Sequence, residues 1–361
     1  MNTKSNKKLR FQQQNTFEKD LKNRVDQYFK QTGKPKRDCP EIYFKTALLA
    51  VWTISAYLLL LFANFPTAGV IICLISLAVS VNGIGFNVMH DAIHESYSNK
   101  PIINKIMSHS IDLIGGNSYF WYWKHNYLHH TYPNIKGHDE DIEVGILARL
   151  CPHNKNYFFH RFQHFYIWIL YGFISVKWHF WDDYCKLARG TINGVKIKRP
   201  KGYDLAVLFI GKGIFYLVFL IIPSLFFPFY KVFAAYLFAA FIQGVIMSVV
   251  FQLAHCHEEA EYPLSKNDPP EMETSWIVHQ LETTANFARN NKLLSWYIGG
   301  LNYQIEHHLF PKISHINYPA LSKIVEKTCR EHGIRYFSFD TLGSSINAHY
   351  SWLFKLGTNK I

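Results

Sequence analysis

Four long apolar stretches divide the chain. Thr46 to Phe65 and Thr67 to Met89 carry no charged side chain, and only Pro66 stands between them. Leu205 to Phe227 holds a single charge, Lys212, and Val232 to Ala254 holds none. Each is close to the roughly 20 residues a helix needs to cross a bilayer. The links at Pro66 and at Pro228–Lys231 have room only for tight turns, so the pattern predicts two helical hairpins. Tyr157 to Trp181 is also rich in aromatics, but His160, Arg161, His164, Lys177 and His179 interrupt it. An interfacial helix or helix pair is expected there, because a crossing would bury Arg161 or Lys177 in hydrocarbon. Near the N-terminus Phe17, Leu21, Val25, Tyr28 and Phe29 recur at helical spacing, and Gly33 and Pro35 end the pattern. They predict one amphipathic helix lying on the membrane or on the domain.

Two hairpins return the chain to its starting side. Residues 1–45, which hold the interfacial helix, 90–204 and 255–361 then share one face, and the hairpins are 46–89 and 205–254. The predicted fold is an all-α integral membrane protein: four transmembrane helices under a helical cap. Lys4, Lys7, Lys8, Arg10, Lys34, Lys36, Arg37 and Lys45 precede the first span, whereas the opposite face has only Lys231. The positive-inside rule places the N-terminus and the cap in the cytoplasm.

Composition agrees with a membrane protein. Hydrophobic residues are 49% and aromatics 17% of the 361, a load suited to lipid interfaces. A mean hydropathy of −0.05 requires large polar segments to offset the spans. The net charge of +12 fits an anionic membrane face. No groove-reading motif accompanies it, so nucleic acid is not an expected partner. The six cysteines are scattered without a C-x-x-C pair, which fits a reducing face, and Cys256 reads as a free thiol. No cleavable leader is expected ahead of the first span.

Chemistry enters with the histidines. His90 and His94 follow the second span, His125, His129 and His130 lie in the central polar segment, and His307 and His308 lie in the tail. The hairpin topology puts all three clusters on one face. His90 and His94 are spaced i,i+4, as are His125 and His129, so each pair shares a helix face, with His130 turned one residue further. Such helices can clamp one or two metal ions, and neutral imidazole suits iron, zinc and copper. Asp91, Glu95, Asp139, Asp141 and Glu306 lie beside the clusters, placed to bind the outer ring nitrogens. The scattered histidines, His109 among them, read as structural.

HDAIH (90–94), HNYLHH (125–130) and QIEHH (304–308) resemble the three histidine boxes of the membrane fatty acid desaturases, and Gln304 in the third box resembles the front-end group. The likeness runs from about Lys45 to the C-terminus. It implies a di-iron centre, two iron ions with O2 as co-substrate, held by His90, His94, His125, His129, His130, His307 and His308. A further histidine just after the last span is implied at His255, with Gln304 a weak or water-mediated ligand. No H-P-G-G haem signature precedes the spans, so a separate electron carrier, a ferredoxin or cytochrome b5, is expected. The implied reaction introduces a cis double bond into a fatty acyl chain. Removing two hydrogens from an unactivated CH2–CH2 pair is beyond any side-chain acid or base, so the oxidising power must come from metal and O2. The same cage would serve a lipid hydroxylase, a ketolase or a sphingolipid desaturase. A metal transporter is disfavoured, since its ligands would sit near the bilayer midplane.

Overall fold

The structure, a computed structural model, describes residues 9–13, 16–264 and 271–361. Its long helices are α1 (Thr16–Thr32), α2 (Pro40–Phe62), α3 (Thr67–Ile93), α4 (118–129), α5 (Gln163–Lys177), α6 (Tyr203–Ser224) and α7 (Phe229–His255). The tail adds α8 (Trp276–Thr283), α9 (Gln304–Leu309), α10 (Tyr318–Glu331) and α11 (Leu342–Thr358). Strand pairs are short. Arg10–Gln12, for one, runs parallel to Glu271–Ser275.

Helices α2, α3, α6 and α7 are long and apolar enough to cross a membrane, and they form the two expected hairpins. Their outer faces display Phe44, Val51, Phe62, Ile72, Ile210 and Ile221 to the surroundings. So much exposed apolar surface is stable only against lipid. Helices α2, α6 and α7 begin earlier than the apolar pattern suggested. Pro40 opens α2 at the first helical turn, where its missing N–H costs nothing. Lys45 therefore lies inside α2, buried, with Nζ 3.1 Å from His315 Nε2. At the other end of the hairpin, α3 continues through His90 to Ile93.

α5 takes the position between interface and core. At 15 residues it is shorter than a span. One face packs along α7, where a Cβ on Gly244 would strike the carbonyl oxygens of Tyr171 and Gly172. Small residues of this kind let helix backbones approach in lipid. The opposite face exposes Phe165, Ile169 and Phe173, spaced four apart. α1 settles on the protein, not on the membrane: Phe17, Leu21, Val25 and Phe29 are buried against Leu321 and Val325 of α10 and Ile277 and Leu281 of α8. Gly33, with φ of +65°, ends α1 through a left-handed turn whose N–H reaches Phe29 O (3.0 Å).

Lys212 is the one charge inside a predicted span, and such an ammonium can snorkel towards water if it lies near a helix end. It turns inward instead and is buried. Its Nζ donates to Gly115 O (2.6 Å), Trp178 O (3.1 Å) and His179 O (3.2 Å) and pairs with Asp183 at 2.8 Å. One side chain of α6 thus ties down the loop before α4 and the helical turns after α5. Removing one member of a buried pair leaves an uncompensated charge, at a cost of roughly 3–5 kcal/mol. Lys212→Met is expected to lower thermal stability in detergent accordingly, and Lys212→Met with Asp183→Asn to recover the greater part. Equal stability of single and double variants would contradict this role.

Candidate metal centre

The centre lies where four pieces of chain meet: the end of α3, α4, the end of α7 and α9. His90, His94, His125, His129, His130, His255, His307 and His308 are all buried. Their nitrogens form two groups. His90, His94, His125 and His307 each offer an atom within 4.8 Å of the others, and so do His129, His255 and His308. His130 stands between them, its ring 4.5 Å from that of His307 and 4.3 Å from that of His308.

Local winding sets this division. α3 makes one π-helical turn at Gly85–Met89, just before His90, and α4 is π-helical over Tyr122–His129. π turns are rare and concentrate at functional sites. In α4 the His130 N–H reaches His125 O (3.0 Å), an i→i+5 bond. His125 and His130 therefore stand one turn apart with Nε2 atoms 3.3 Å from each other, while His129 faces the second group. The i,i+4 spacing alone had paired His125 with His129. Beyond His94 the chain turns sharply through Glu95, a non-glycine residue with φ of +60°.

Partners outside the cage orient the rings. His129 donates Nδ1–H to Asp139 (3.1 Å), and Asp141 lies 3.6 Å from the same nitrogen. His308 Nδ1 bonds Gln280 Oε1 (2.8 Å), His255 Nδ1 bonds Thr283 O (3.1 Å), and His307 Nδ1 meets the Tyr318 hydroxyl (3.3 Å). In each case the Nδ1 side is tied outward. The Nε2 atoms of His94, His255, His307 and His308 are buried with no hydrogen-bond partner. His90 Nε2 and His125 Nε2 approach to 3.0 Å. Buried imidazole nitrogens without partners call for an explanation, and a cation supplies one. Four plus three converging nitrogens, with the rings of His129, His255, His307 and His308 fixed from behind, suit a metal bound by imidazole.

The electrostatics agree. Burial holds His94, His125, His130, His307 and His308 well below the ordinary imidazole range, and repulsion from neighbouring rings adds to it. These rings stay neutral, with a lone pair free to bind metal. Burial also lowers His129, but the Asp139 carboxylate outweighs it and raises the ring overall.

Other predicted residues are placed differently. Asp91 accepts from His315 Nδ1 (2.9 Å) and Ser314 Oγ (3.2 Å), so it braces box one against the segment after α9. Glu306 accepts from Asn286 Nδ2 (2.8 Å) and the Tyr336 hydroxyl (3.0 Å), and burial pushes it up to about 7. Glu95 pairs with Lys312 at the surface. Gln304 is buried on the first turn of α9, and its Nε2 has no partner. His109 bonds Asp112 and Tyr203, as a structural histidine does. Sequence reasoning missed Gln280, Thr283, Tyr318 and His315.

An apolar cavity of about 490 Å³ lies between the two hairpins, walled by Leu74, Leu77, Phe219 and Ala240. It meets a narrower pocket of about 40 Å³ that is lined by His90, Met89, Trp121 and Phe251. Val81, Ile114 and Gln243 border both. A chain of CH2 groups seated there would run from the hairpins to the histidine cage. Loss of a carboxylate behind a ligating imidazole lowers metal affinity 10- to 100-fold. Asp139→Asn is expected to do this, read as bound metal per chain after dialysis at graded chelator concentrations. An unchanged chelator midpoint would contradict the bracing role.

Residues 64–340 match the family described as fatty acid desaturase. The sn-1 linoleoyl-lipid 6-desaturase of Synechocystis is 37% identical over 354 residues, 97% of this chain and 98% of the relative. The enzyme of the same name from Arthrospira platensis is 36% identical, over 99% of this chain and 97% of its own. The acyl-lipid (8-3)-desaturase of Physcomitrium patens is 29% identical, over 93% and 71%. The family match covers all three histidine boxes and His255, so the chain belongs to the fatty acid desaturases, membrane enzymes that introduce double bonds into fatty acyl chains.

Proposed function

We propose that this front-end desaturase holds two iron ions and oxidises the 6-position of a lipid-bound acyl chain. One iron is assigned to His90, His94, His125 and His307. The other is assigned to His129, His255 and His308, with His130 between them and Gln304 as a weak or water-mediated contact. The observation that carries the assignment is the pair of buried histidine groups, four of whose Nε2 atoms have no partner and whose His90 lines the pocket at the end of the apolar cavity. The 6-position is supported by the similarity, over nearly their full length, to the sn-1 linoleoyl-lipid 6-desaturases of Synechocystis and Arthrospira.

Bound iron with O2 supplies the oxidising power that the reaction needs. The chain's own residues do the rest. Asp139, Gln280, Thr283 and Tyr318 orient the rings of His129, His308, His255 and His307 towards the metal sites. Apolar side chains of both hairpins exclude water and hold the acyl tail. Placement then selects the bond, since a reacting pair must be held at about 3–3.5 Å. The active site and N-terminus face the cytoplasm on this reading, supported by the lysines and arginines before α2. A separate acidic carrier, a ferredoxin or cytochrome b5, delivers electrons and is steered by the net charge of +12.

Expression in a host that lacks polyunsaturated lipids, with fatty-acid profiling by mass spectrometry, tests the reading. New alkenes at the 6-position are expected. Products that gain oxygen instead would identify a hydroxylase. His129→Ala should insert in the membrane, lose iron and yield no product. Full activity of that variant would overturn the ligand assignment.

A further inference from the structure

A second cavity, of about 330 Å³, opens on the cap beside box one. It is more polar than the channel between the hairpins. Arg37, Lys105, Tyr119, Tyr122, Tyr203 and Asp204 border it, and its inner wall is Ala92 and Ile93, next to the ligand His94. The channel to the cage is bounded by the same two pieces of chain: Met89 and His90 of α3, and Ile114 and Trp121. Groove and channel therefore stand on either side of one wall, the end of α3 and the 114–122 segment.

The groove lies at the height of lipid headgroups. Tyr203 and Asp204 are the first residues of the span α6. The short helix Pro101–Ser108 forms another edge and exposes Ile102 and Ile106, one turn apart, which is the pattern of a helix resting its apolar face in the interface. Tyrosine favours that level.

Its polar groups are only partly committed. Lys105 lies over the Tyr203 ring (4.1 Å from its centre), Arg37 donates to Glu95 O (3.1 Å), and the Tyr203 hydroxyl meets His109 Nε2 (2.9 Å). Among the described residues the Lys105 ammonium, the Asp204 carboxylate and the Tyr122 hydroxyl have no hydrogen-bond or ion-pair partner. Arg37 and Lys105 border the groove together with an uncommitted carboxylate, Asp204, and aromatic planes, and this mixed charge does not suit a phosphate-rich carrier, which the carboxylate would repel. It suits a neutral or zwitterionic head that both donates and accepts hydrogen bonds.

We propose that this groove is the headgroup seat of a membrane glycerolipid whose acyl chain passes over the Ala92–Ile93 wall into the channel. The proposal rests on the lipid-bound substrate proposed above. It gives that reading a physical ruler: a head anchored one helical turn from the cage fixes how few carbons separate the ester from the oxidised bond. Hydrogen-bonding heads of two sources fit, a sugar or a zwitterionic phosphate ester.

The test uses the full-length protein in nanodiscs with lipids bearing a photoreactive group on a galactosyl or a phosphocholine head. Cross-links are expected on peptides spanning residues 92–122 and 203–204, and the better-labelled head identifies the source. Excess coenzyme A should leave them unchanged. Lys105→Ala with Tyr122→Ala should lower their yield about tenfold, the equivalent of one lost charged hydrogen bond. Ser108→Trp, which fills the groove from its rim, should do the same. Iron content checks that both variants are folded. Cross-links elsewhere on the cap, displacement by coenzyme A, or undiminished yield in both variants would overturn the proposal. Cross-linking needs no turnover, so failure of the wild-type enzyme to make product would count against the proposed activity and not against the seat.

Discussion

Eight imidazoles in one dry pocket impose the constraint on which the rest depends. Burial keeps His94, His125, His130, His307 and His308 neutral, and several of the inner nitrogens have no protein partner. An arrangement of this kind is costly unless a cation occupies it, because a buried polar atom without a partner forfeits its hydration. The rest of the chain serves to bring these rings together and keep them oriented. Two hairpins return α3 and α7 to the same face, so His90 and His255 arrive at the ends of spans. The π turn before His90 and the π winding of α4 set which nitrogens meet. Outer partners drawn from α8, α10 and the loop after α4 then fix the rings of His129, His255, His307 and His308 from behind.

The protein works against two solvents at once. Lipid tolerates the exposed Phe and Ile of the spans, yet it gives no help to a stray charge. Lys212 is therefore answered within the protein, by Asp183 and three carbonyls, and this also secures the segments that carry Ile114, Trp178 and His179 into the channel wall. The channel is apolar along the hairpins and becomes histidine-lined only at its inner end. An acyl chain can thus approach the metal centre without bringing water with it.

Much of this was legible in the residues. The spans announce themselves by length and lack of charge, and the boxes by clustered histidines that the hairpins place on one face. The apolar stripe of α1 was equally plain, although its neighbour was not: the stripe says that a face is buried but not whether lipid or α10 buries it. Other features had no sequence signal. An i,i+4 pair reads the same whether the backbone winds as α or π, so the alliance of His125 with His130 was hidden. Thr283 serves through its carbonyl, which every residue possesses. His315 reaches Asp91 across more than 200 positions, and Lys45 looked like a flanking charge until Pro40 was seen to start the helix. Carboxylates beside the boxes were the natural choice for outer partners. Asp139 takes that place, whereas Asp91 and Glu306 brace the surrounding chain.

The central claim is that two groups of histidines make a two-iron site. Metal analysis of the purified enzyme, joined to Mössbauer spectroscopy of protein grown on 57Fe, tests it most directly. The account predicts two irons per chain in nitrogen-rich surroundings and magnetic coupling between them. A single uncoupled iron, or zinc at both groups in fully active enzyme, would contradict it.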